Sequence, residues 1–264
     1  KKILETQKTN INYKYDKGIL NDCDSLLQLA ANSNNNELLS ILLEQNGVEI
    51  QSKCFSKCTA IKELKLSDSI GTIHKYAFAE CISLTSITLP NSMTTIDDFT
   101  FFNCKSLIEV IIPSSVTSIG YSAFKNCINL KNLKLSSSLK FIGKSSFKNC
   151  ISIENIEIPS SVSSIEKGAF TKCTKLREIK LPQFITKINS KTFSHCKSLL
   201  SIEIPHSVTE IGTWAFFNCI NLVSCKLPPS LITVDKWLFF GCESLDNIII
   251  PPVESIGQQA FCQC

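Results

Sequence analysis

A chain of 264 residues with a formal net charge of +4 and an apolar share of 44% does not have the composition of a disordered segment, and with no run of eighteen apolar residues it offers no spanning helix. Fourteen cysteines would suggest a disulfide framework in a short secreted domain, yet ten of them sit at one equivalent position per unit. Cys58, Cys81, Cys104, Cys127, Cys150, Cys173, Cys196, Cys219 and Cys242 recur every 23 residues, and Cys264 closes a unit of 22, so this is a repeat protein whose length counts coils.

In chain order, residues 1–20 are polar, without sustained period, and read as a short helix or irregular lead-in. From Asp24, two apolar-periodic runs flank an Asn-rich turn; Asn36 can cap the second and Gly47 can end it. Leu27, Leu29, Ala30 and Ala31, then Glu37, Leu38, Leu39 and Ile41 to Glu44 before Gly47, resemble one ankyrin repeat over 24–46. The expected organisation is a helical N-terminal cap over 1–46 and a solenoid of about ten 23-residue units over 47–264.

Ile50, Phe55 and Cys58 match the end of a unit, so the solenoid starts near residue 47. Counted from its cysteine, each unit places an aliphatic residue three (Leu84, Leu107, Leu130), six (Ile87, Val110, Leu133) and eight residues on (Leu89, Ile112, Leu135). The last two alternate with period two and predict a strand. Pro then ends that strand in seven of nine units, from Pro90 and Pro113 to Pro251, through its fixed φ and missing donor. An Ile recurs further on (Ile73, Ile96, Ile119, Ile142, Ile165, Ile188, Ile211) and is followed by Gly120, Gly143, Gly212, Gly257, Asp97, Asn189 or Asp235. These types tolerate positive φ and predict a second turn there, with strain or a shifted turn where His74 and Glu166 stand instead. Each unit closes on Phe78, Phe101, Phe124, Phe147, Phe170, Phe193, Phe216, Phe239 or Phe261, predicting an aromatic spine beside the cysteine column.

The pattern C-x-x-L-x-x-I-x-[IL]-P-x-S-V-x-x-I-G-x-x-A-F over residues 47–264 resembles the BspA-type leucine-rich-repeat family, whose members occur as surface proteins of anaerobic bacteria and in parasitic protists. The resemblance implies a leucine-rich-repeat solenoid, a β-rich right-handed superhelix with a parallel sheet on its concave face, and a role in adhesion or protein binding rather than catalysis. One coil cannot fold alone, so both ends need covering. The N-terminal hairpin is expected to cover one, and further repeats or a partner the other, since Cys264 ends inside a complete pattern.

Stacked cysteines would lie roughly 5 Å apart, near enough for a disulfide. An unbroken column gives each two identical neighbours, however, and a buried free thiol is common, so reduced structural thiols are expected. None of the nineteen Asn residues begins a glycosylation sequon. Together these favour an intracellular location, in cytoplasm or cytoskeleton, with the cell surface as the alternative.

His74, His195 and His206 occupy three different columns, so no nucleophile and base can be assembled and no enzyme is expected. Cys54-x-x-x-Cys58 and Cys262-x-Cys264 fit core columns better than a metal site, and no cofactor is called for. The outward column of the first strand includes Lys134, Glu157, Lys180 and Glu203. Alternating signs suit a protein partner, not a phosphate track, so no nucleic acid is expected. On the closing turn Trp214 with Phe217, Trp237 with Phe240, and Phe99 with Phe102 stand where other units carry small or polar residues. Clustered aromatics at that spacing are either core-shielding or a protein-binding patch. The expected function is a non-enzymatic protein-interaction scaffold, with a surface adhesin as the alternative.

Overall fold

The computed structural model describes residues 27, 30, 31, 33, 36–44 and 48–264. The ankyrin-like hairpin of 24–46 lies largely outside the described residues, which retain its second run as helix α1 (Asn36–Leu43). Leu39, Leu42 and Leu43 of that helix are buried and join the same core as Ile50, Phe55 and Cys58.

From Val48 the chain winds as a parallel β-solenoid of about nine turns with almost no helix. β1 (Glu49–Ile50) is followed by β2 (Glu63–Lys65) and β3 (Thr72–Ile73), and this alternation of a three-residue and a two-residue strand repeats to β18 (Asn247–Ile249) and β19 (Ser255–Ile256). Three-residue strands pair with the next of their kind in a 23-residue register, as Glu63↔Ser86 and Leu64↔Ile87, except from Asn132–Lys134 to Asn155–Glu157 and from Glu178–Lys180 to Ser201–Glu203, and form the wide-strand face. Two-residue strands pair likewise on a second, narrow face, Ser118↔Phe141 and Ile119↔Ile142. The last narrow pairing slips to 22, Thr233↔Ser255, while the wide strands before it keep Ser224↔Asn247. The missing residue therefore falls in the Pro251–Pro252 turn.

The core forms because every coil points the same side chains inward. Nine phenylalanines from Phe55 to Phe239 are fully buried and stack nearly parallel, with centroids 5.0 to 5.9 Å apart and Phe261 extending the column. Beside them the cysteine column forms a thiol ladder, in which Cys81 Sγ donates to Phe55 O (2.9 Å) and Cys127 Sγ to Phe101 O (3.1 Å), and so on to Cys264. Cys54 aside, the twelve other cysteines among the described residues are free thiols. Burial pushes the column thiols above their ordinary pKa, to about 12 at Cys173, and at Cys127 and Cys150 a neighbouring column thiol adds to the upward shift. Where Pro gives way to serine the turn survives: Ser67 and Ser136 accept the N–H of the residue two further on through Oγ, at 3.2 and 3.1 Å, a side-chain mimic of the turn.

Positive φ falls elsewhere than the glycine types suggest. It recurs twice per coil, five residues and one residue before the cysteine: Tyr76 and Glu80, Phe99 and Asn103, Trp214 and Asn218. The residue after the recurrent Ile is not left-handed, and neither His74 nor Glu166 is strained there. Glycine serves that position through close approach. A Cβ on Gly143 would meet Gly120 C and Ile119 O at 2.6 Å.

The same column governs the narrow ladder. Where Gly120, Gly143, Glu166 or Gly212 follows the Ile, its N–H bonds the Ile carbonyl of the preceding coil at 2.7 to 2.9 Å. Where Asp97, Asn189 or Asp235 follows, the strands do not pair: no ladder among the described residues joins Thr72–Ile73 to Thr95–Ile96, Ser164–Ile165 to Lys187–Ile188, or Glu210–Ile211 to Thr233–Val234. At the second of these Asn189 Nδ2 takes Ile165 O instead, at 2.8 Å. An Asx side chain competing with backbone pairing accounts for that interruption.

Candidate protein-binding surfaces

The wide-strand face presents one outward side chain per coil because strand residues alternate in and out. Lys134, Glu157, Lys180 and Glu203 are all exposed along it, and strand pairing aligns Glu157 with Lys180 and Glu203 with Lys226. The second pair closes an ion pair, Lys226 Nζ to Glu203 Oε1 at 2.8 Å, and that bond holds the Glu203 carboxyl below its ordinary pKa. Two coils of the same column carry Ile111 and Ile249 bare to solvent, the latter 85% exposed. A shallow depression of about 320 Å³ opens beside the charged stretch, lined by residues that include Glu178, Lys180, Gln183, Glu203 and His206.

The closing turns form a second outward surface, a ridge. The left-handed backbone five residues before each cysteine sets its side chain on this ridge, the buried Ser122 aside, and the aromatics found there stack on one another. Trp214 and Trp237 lie face to face, 5.1 Å apart and within 2° of parallel; Phe217 and Phe240 stack at 5.2 Å. The pair Phe99 and Phe102 meets edge-on at 5.7 Å, and Tyr76 stacks on Phe99. All seven are half-buried. Lysines cover the faces that remain: Lys191 lies 4.4 Å from the Trp214 centroid, Lys236 5.1 Å from Trp237, and Lys125 5.6 Å from Phe102. Trp237 Nε1 donates to Gln259 Oε1 at 2.5 Å.

Stacking thus gathers Trp214, Phe217, Trp237 and Phe240 into one patch, while Phe99 and Phe102 form another with Tyr76 and Tyr121. The charged residues of the wide-strand face belong to neither. Two features escaped the column-by-column reading. Phe184 stands in a column otherwise held by serines such as Ser161 and Ser207, whose hydroxyls bond a carbonyl of the preceding coil, and it is 75% exposed. Between the aromatic patches the ridge carries Lys125, Lys148, Lys172 and Lys191, drawn from three different columns. Summing charge over a whole turn, not one column, would have revealed them. Among the described residues no three His, Cys, Asp or Glu side chains are grouped to hold a metal ion, and no helix is long and apolar enough to cross a membrane.

The family model described as BspA type Leucine rich repeat region matches residues 27–153 and 140–264, in six copies. That match runs across most of 24–46, and the ankyrin likeness there finds no support. No curated protein matches the chain. Solved structures with the same fold include a leucine rich cell surface protein from Faecalibacterium prausnitzii, 25% identical, TM-score 0.52, covering 81% of this chain and 65% of that one. The pneumococcal vaccine antigen PcpA is 24% identical with a TM-score of 0.57, covering 80% of this chain and 64% of the antigen. A leucine rich repeat protein of T. pallidum is 29% identical, TM-score 0.48, covering 68% of this chain and 76% of its own.

Proposed function

We propose a protein-binding role for this chain, which belongs to the BspA-type leucine-rich-repeat family. Leucine-rich-repeat proteins are generally protein-interaction modules and typically non-enzymatic. The observation that carries the reading is the wide-strand face: a row of exposed side chains, one per coil, in which Lys134, Glu157, Lys180 and Glu203 alternate in sign beside a bare Ile111. Mixed charge with isolated apolar groups, on a backbone already ordered, favours a complementary protein surface at little ordering cost.

The finer reading is a scaffold in a reducing compartment, supported by the ladder of buried thiols, whose hydrogen bonds require the reduced form. A surface adhesin is the second reading, supported by the likeness to the cell-surface protein and the vaccine antigen. Reversing Lys134, Glu157, Lys180 and Glu203 together in the full chain, with a photo-cross-linker at Ile111, tests the face. Cross-links that form in the native chain and vanish on reversal are the expected result; cross-links indifferent to the reversal overturn it. A non-reducing thiol count on protein from its native source decides the compartment: ten free column cysteines support the scaffold, paired ones the adhesin.

A further inference from the structure

The lysines of the ridge form a cluster that the fold does not require. Lys148 is half-buried between coils whose outward lysines, Lys125, Lys172 and Lys191, all act on it. Its own burial first, then these three charges, hold its pKa below the ordinary lysine value. The two ion pairs among the described residues, at Glu49 and Glu203, lie elsewhere. No core packing explains the cluster either, because equivalent positions in other coils carry Ala79, Thr171 or Ser194 with the same backbone. Like charges held together at a cost of repulsion, on a surface with no internal counter-charge, imply a ligand that supplies it.

The geometry selects among polyanions. From Lys125 to Lys191 is three coil steps of about 4.8 Å, or about 14 Å, the reach of four or five extended residues at about 3.3 Å each. Binding nucleic-acid single strands or sugar rings calls for open aromatic faces, and these are already taken. Trp214 is sandwiched between Trp237 and Lys191, and the faces of Phe102 and Tyr121 carry Lys125 and Lys144. What stays open is ring edges beside fixed cations, which suits carboxylates with an apolar side chain at one end.

We propose that the ridge from Lys125 to Lys191 binds an extended acidic polypeptide segment of a partner protein, its carboxylates on Lys125, Lys148, Lys172 and Lys191 and an apolar side chain against the edges of Phe217 and Phe240. This rests on the protein-binding reading but uses a different surface.

Both tryptophans of the chain lie at one end of this site, so their emission reports binding directly. The full chain is titrated at low salt with a hexaglutamate peptide ending in phenylalanine, and in parallel with heparin and a single-stranded oligonucleotide of equal charge. A saturable change in emission with the peptide, weakened about tenfold in the double variant K148E/K172E and by added salt, is the expected result. K148Q/K172Q should show a smaller loss, and an unchanged thermal unfolding midpoint verifies that both variants fold. Absence of a saturable response, a response indifferent to the lysine variants, or tighter binding of heparin or the oligonucleotide overturns the proposal. Cross-links on the wide-strand face that persist in K148E/K172E leave the protein-binding reading standing while this one falls.

Discussion

The inward and outward columns of the same coils obey opposite rules. Inward, Phe, Cys and Ile repeat almost without change, and neighbouring coils meet through identical contacts: a ring on a ring, a thiol on a carbonyl, an amide on a carbonyl. Outward, equivalent positions hold Trp, Ser, Gly or Lys on one backbone. In a solenoid, stability is close to a sum of neighbour terms, so uniformity inside maintains the stack while variation outside is free to serve recognition. Each variant below either breaks the interior uniformity or shows where it is already imperfect.

Alkali should have the largest effect. Burial raises the thiol of Cys173 to about 12, above its unfolded value near 8.5. A pKa raised by folding means stability that is whole below the unfolded value and lost as pH climbs towards the folded one, at about 1.4 kcal/mol per pH unit for each such thiol. Because the ladder repeats, urea midpoints measured from pH 8 to 11 should fall steeply, and Cys173→Ala should make that fall shallower.

Next comes Gly143→Ala. The added methyl would meet the backbone of Gly120 and Ile119 at 2.6 Å, where no side chain can yield, and overpacking of this kind costs about 1–3 kcal/mol. Glu166→Ala in the following coil, where a Cβ already sits, should change the urea midpoint little. The smallest effect should be a gain. Ser146 is fully buried with no partner for its hydroxyl, in a column where Ala77, Ala123, Ala169 and Ala215 stand in other coils. Ser146→Ala should raise stability by about 1 kcal/mol, the penalty of a desolvated hydroxyl.

Most of the interior was legible from the 23-residue period, because a column that must be apolar in every coil announces itself by repetition alone. The backbone was less so. Left-handed φ lies at Tyr76, Phe99, Lys191 and Trp214, residue types that give no such signal, while the glycines that do are held in place by inter-coil approach. Neighbouring coils impose the conformation through their hydrogen bonds, as Phe99 N to Tyr121 O at 2.9 Å, and override local preference. On the surface, the paired aromatics stood out as departures from a small-residue column. The lysine cluster did not, because its four members come from three columns that only the turn brings together.

The interrupted narrow ladder has a mechanical meaning. Asp97, Asn189 and Asp235 mark seams at which one of the two faces is unstitched while the other carries on. Across the junction at Asp97 the wide face keeps an unbroken ladder from Glu63 to Lys134, and across Asp235 one from Glu203 through Lys226 to Ile249, so those two seams can open on one side only, as a hinge does. A rod of equal coils becomes in this way a set of stiff blocks with preferred lines of bending, and the position after the recurrent Ile marks where those lines fall.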